Sequence, residues 1–61
     1  MLKYNDKVLV TSDEDNDGFY VGLQGVVKWR GTEGTTKGSY EIKTKDDEYF
    51  TFEEDQLQKQ R

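Results

Sequence analysis

Cysteine, histidine and proline are all missing from this 61-residue chain. Without cysteine or clustered His/Cys ligands, neither a disulfide nor a structural zinc site can staple the fold, so the core must hold it alone. The same absence fits a reducing, cytoplasmic setting. Without histidine or cysteine, catalysis would fall to carboxylates, Ser12, Ser39, tyrosines and lysines. Paired carboxylates need a cleft that a domain this small rarely has, so the chain is expected not to be an enzyme and to carry no cofactor. Long apolar runs are missing too: residues 1–6 lack the hydrophobic stretch of a signal peptide, and nothing approaches the length of a membrane span. A cytoplasmic monomer that does not engage membranes is the expectation.

What is present is charge, glycine and aromatic rings. Nine basic against thirteen acidic side chains leave a net charge of −4, which opposes binding to phosphates and favours basic partners or simple solubility. The hydrophobic share is only 31%, but the aromatic residues each contribute a large buried area, and that keeps the chain on the ordered side of the disorder boundary. Sixty-one residues allow one domain, residues 1–61, with an ordered core over about residues 6–58.

The periodicity is that of strands. Val8 and Val10 alternate with Lys7, Leu9 and Thr11, which predicts a first strand over 7–11. An acidic loop over 12–18 follows. The stretch 19–30 is too long and too glycine-punctuated for one flat strand, so a bend is expected over 22–25 and the main strand over 25–30. Val27 is expected to point inward, and Trp29, on the same face by parity, to close one end of the core. Three glycines over 31–38 predict the most mobile connection. Tyr40, Ile42 and Thr44 alternate with Glu41, Lys43 and Lys45 as a third strand, Asp46-Asp47 suits a tight turn, and 48–52 returns with Phe50 and Phe52 inside. Residues 53–56 suit a single 3₁₀ turn, after which Leu57 opens a short fifth strand. The predicted fold is all-β: a small five-stranded antiparallel barrel, closed or nearly so, with Val8, Val10, Val27, Ile42, Phe50, Phe52 and Leu57 in its core.

The order of strand, loop, Gly22-x-x-Gly25-x-Val27, strand, tight turn, aromatic strand and then Glu54-Asp55-Gln56-Leu57 resembles the SH3-like barrel superfamily over residues 6–57. The Gly-x-x-Gly-x-Val piece is similar to a KOW-type motif, and the layout is similar to that of a small reaction-centre protein of photosystem I and of small bacterial and phage proteins. The resemblance implies a non-enzymatic module that binds proteins, nucleic acids or peptides. The chain departs from basic RNA-binding KOW loops in the acids at 13, 14, 15 and 17, and it lacks the Ala-Leu-Tyr-Asp-Tyr signature of signalling SH3 domains.

Two motifs have plainer readings. Asp13-x-Asp15-x-Asp17-Gly18 with Gln24 comes close to a calcium loop, but the last position lacks the bidentate glutamate and both flanks read as strands, so a solvated loop without bound metal is expected. Tyr20, Trp29, Tyr40 and Tyr49 could supply an aromatic cage of the Tudor type, but in so small a barrel packing is the preferred role. In an up-and-down order the loops after the first and third strands share one end. That parity groups Asp13, Glu14, Asp15 and Asp17 with Asp46, Asp47 and Glu48 as an acidic rim, with Phe19 or Tyr20 as apolar anchor, for a basic protein surface. The alternative is nucleic-acid binding on a stripe of Lys28, Arg30 and Lys43, with Lys37 and Lys45 beside it.

Overall fold

Alternating apolar residues place one face of each strand inside. In the computed structural model, which describes residues 2–31 and 38–60, β1 spans Lys7–Val10 and turns Val8 and Val10 fully inward. The further strands are β2 (Gln24–Arg30), β3 (Ser39–Lys43), β4 (Tyr49–Glu53) and β5 (Leu57–Lys59). All neighbours are antiparallel, in the order β4-β3-β2-β1-β5. The ladder does not close, so the expected barrel is a five-stranded sheet whose edges, β4 and β5, are linked in sequence by the 3₁₀ turn Glu54–Gln56. Residues 32–37 of the glycine-rich connection, Gly34 and Lys37 among them, lie outside the described residues.

The core is Leu2, Val8, Val10, Val27, Tyr40, Ile42, Phe52 and Leu57, with Tyr20, Leu23 and Phe50 packed half-buried against it. Strand parity alone would put Phe50 fully inside. It sits instead toward the rim, its ring 5.0 Å from that of Tyr20. Leu2 precedes the span expected to be ordered. It is buried because residues 3–6 form a turn pinned to β2, with Asn5 N–H donating to the Val27 carbonyl and Val27 N–H to the Asp6 carbonyl.

Gly25 lies opposite Val8 in the β1–β2 register. A Cβ there would stand 3.0 Å from the Lys43 carbonyl oxygen and 3.1 Å from Ile42 Cδ1, so only glycine lets β3 approach. Gly22 serves a different need, a backbone φ of +95° at the bend into β2.

Trp29 corrects a parity expectation. Val27 faces Ile42 but Trp29 faces Glu41, so Lys28 is an extra residue in β2, a β-bulge. One extra residue reverses the alternation beyond it and re-aims the side chain. Trp29 therefore shares the outward face with Glu41 and is 49% exposed, instead of closing the core.

Candidate functional site

Asp13 belongs to the interior. Its carboxylate accepts from the Tyr20 backbone N–H at 3.0 Å and from Asn16 Nδ2 at 2.9 Å, while its carbonyl oxygen accepts from the N–H groups of Asn16 and Gly18. It is only 3% exposed, which corrects its assignment to a partner-binding surface: a short carboxylate at the entrance of the 3₁₀ turn Glu14–Asn16 satisfies the loop's own donors. Asp17 completes that turn with a left-handed backbone at φ 54° and stays exposed.

The other acids of the expected rim divide. Glu14 and Asp15 line a cleft of about 320 Å³ together with Glu53 and Asp55, and Phe52, Thr51, Ser12, Ser39 and Gln56 complete its lining. Asp46 and Glu48 line a separate depression with Lys7, Lys45 and residues 22–26. Asp47 is paired with Lys43 at 3.0 Å. Parity brings only the glycine end of the long loop beside the 44–48 turn.

The acidic end of the loop is held against the 3₁₀ turn Glu54–Gln56 instead, and Gln56 is the joint. Its carbonyl accepts from Thr11 N–H at 2.8 Å, and its side chain donates from Nε2 to the Ser12 carbonyl and accepts at Oε1 from Glu53 N–H. Glu53 and Gln56 complete a capping box around the turn. No pattern in residues 11–18 announces Gln56, 44 positions beyond Ser12. Sequence reasoning therefore misses Glu53 and Asp55 as members of the site, although it expects the 3₁₀ turn that carries them.

The 44–48 turn is built by Thr44 and Asp47. Buried Thr44 Oγ1 accepts from Asp46 and Glu48 N–H, and Asp47 adopts φ 62°, the left-handed conformation expected of this Asp-Asp pair. The hydrogen bond and charge of Asp47 hold the Lys43 ammonium above its ordinary pKa of 10.5. Lys43 is thus committed to its own hairpin, and the expected basic stripe separates. Lys28 and Arg30 line a depression with Lys3, whereas Lys45 lies in the one beside Asp46 and Glu48.

The four tyrosine and tryptophan residues considered as a cage are dispersed in role. Tyr40 is core, Tyr20 packs on Phe50 and Phe52, and Trp29 and Tyr49 are exposed. Phe19 meets Tyr20 edge-on at 4.9 Å and is 78% exposed. Among the described residues no helix is long and apolar enough to cross a membrane, and no three acidic side chains are grouped to hold a metal ion. Comparison with protein-family models, with curated proteins and with solved structures gives no match to the chain.

Proposed function

We propose that this chain is a non-enzymatic binding module that takes a basic protein segment in the cleft between residues 12–15 and the 3₁₀ turn Glu54–Gln56. The observation that carries this reading is the arrangement of four carboxylates, Glu14, Asp15, Glu53 and Asp55, around one concave surface with Phe52 in its lining. Like charges so grouped repel one another and stabilise an approaching cation, and the overall −4 charge steers such a partner from a distance. Exposed ion pairs contribute only about 0–1 kcal/mol each, so an apolar anchor is also needed, and exposed Phe19 is the ring that fits that role. The strand order, with a 3₁₀ turn between the fourth and fifth strands, is compatible with an SH3-like barrel and supports the expectation of a binding module at the level of fold alone.

The test is a titration of the labelled domain with a lysine- and arginine-containing peptide at low salt, read by amide chemical shifts. Perturbations are expected at residues 12–15 and 53–56 and around Phe19. The combined reversal Glu14→Lys and Asp15→Lys should abolish them, while Asp46→Lys should not. Shifts centred on the 44–48 turn, or unchanged by the first pair of reversals, would remove the cleft from consideration.

A further inference from the structure

A second surface has the opposite character. Leu2, Lys3, Tyr4, Val27, Lys28, Trp29 and Arg30 line a shallow depression of about 450 Å³, and no carboxylate is among them. In a chain with thirteen acids and nine bases, a lining with three cations and two rings is a local reversal of charge. Its rings are open: Tyr4 is 67% and Trp29 49% exposed. A domain with few apolar residues would stabilise itself by burying its single tryptophan, yet the bulge at Lys28 turns that tryptophan outward.

Lys28 is already held in place. Its ammonium donates to Asn5 Oδ1 at 2.9 Å and lies 5.1 Å from the centre of the Tyr4 ring. An ammonium has three donors, so one hydrogen bond leaves two to offer, and a pre-positioned side chain loses less rotamer entropy on binding. Asn5 is itself fixed by its N–H bond to the Val27 carbonyl. An opposing charge stands nearby in Glu41, which the register sets across from Trp29.

We propose that this depression is a stacking site for single-stranded nucleic acid, with a base laid on the Trp29 indole and the flanking phosphates met by Lys3, Lys28 and Arg30. The pairing of an exposed indole with cations on neighbouring residues matches what a single strand offers, a π-face at every base and a charge at every phosphate. An acidic peptide would use the cations but not the ring plane. A duplex hides its base faces and presents a denser charge to a net-negative domain. This surface is separate from the acidic cleft and does not depend on it.

Trp29 is the only tryptophan, so its fluorescence reports the site directly. The unmodified domain is titrated with an oligothymidylate of about ten nucleotides, and in parallel with the same sequence as duplex, with inorganic polyphosphate and with polyglutamate. Saturable quenching by the single strand alone is expected, and affinity should fall roughly twenty-fold between about 50 and 200 mM salt if three phosphates are engaged. With a fluorescently labelled strand read by anisotropy, Trp29→Ala should weaken binding by about 5- to 150-fold. Lys28→Ala and Lys3→Ala should weaken it and flatten the salt dependence, and Glu41→Gln should strengthen it. Lys45→Ala, screened by distance, should change it by less than about twofold. Circular dichroism checks that each variant is folded, and the lysine variants decide the matter if Trp29→Ala is not. Absence of quenching at low salt, equal binding of polyphosphate or polyglutamate, or indifference to both Trp29 and Lys28 would overturn the proposal.

Discussion

At the scale of single residues, chemical type and structural role part company. Asp13 and Asp15 are the same amino acid two positions apart, yet one closes a hydrogen-bond network and the other lines an open cleft. Replacing Asp13 by alanine leaves the Tyr20 N–H and the Asn16 amide without their acceptor, so a loss of about 1–3 kcal/mol is expected in urea unfolding. Asp15→Ala should stay within about 0.5 kcal/mol. Gly25→Val forces atoms against the Lys43 carbonyl and Ile42 and should destabilise by about 1–3 kcal/mol in the same measurement. Lys43 supplies a pH signature. Because its pKa is raised in the folded state by Asp47, its contribution is complete below the ordinary lysine range and disappears as pH climbs through the raised value. NMR titration of the Lys43 side chain should show a midpoint above 10.5 that moves down toward the ordinary value in Asp47→Asn.

At the scale of elements, the strands announce themselves and their junctions do not. The alternation at Val8 and Val10 and at Tyr40 and Ile42 was legible because it is a period-two pattern within a few residues, and the structure buries all four. The bulge was not legible: it is a relation between β2 and β3, and the extra residue, Lys28, has nothing in its type to mark it. The union of the acidic loop with the Glu54–Gln56 turn was equally hidden, since one side chain, Gln56, makes it. Gln56→Ala frees the Glu53 N–H and unties Ser12, so a loss of about 1–2 kcal/mol is expected. Amide exchange should quicken at Glu53 more than at Ile42 on the buried face of β3.

At the scale of the whole molecule, charge is sorted by place. A chain of net charge −4 carries an acidic cleft on one surface and a cationic, aromatic depression on another. Added monovalent salt should raise the unfolding midpoint slightly by relieving acid–acid repulsion. Under the proposed function, the same salt should slow association of a basic peptide with the cleft, measurable by stopped-flow fluorescence of a labelled peptide.

The sequence by itself determined the all-β class, five strands close to their observed bounds, the glycine bend leading into β2 and the turn at Asp46-Asp47. Each of these depends on the period of side chains along one strand or on the backbone freedom of one residue, which are local properties. Only the tertiary structure decided that Asp13 turns inward, that Trp29 turns outward, that Leu2 joins the core and that Glu14 and Asp15 face Glu53 and Asp55. These are decided by groups distant in sequence: the N–H of Tyr20 that Asp13 accepts, the register of β2 on β3 and the carbonyl of Ser12 that Gln56 holds. A charge or a ring in the chain fixes what a site can do, but which side of the sheet it occupies is set by pairing between strands.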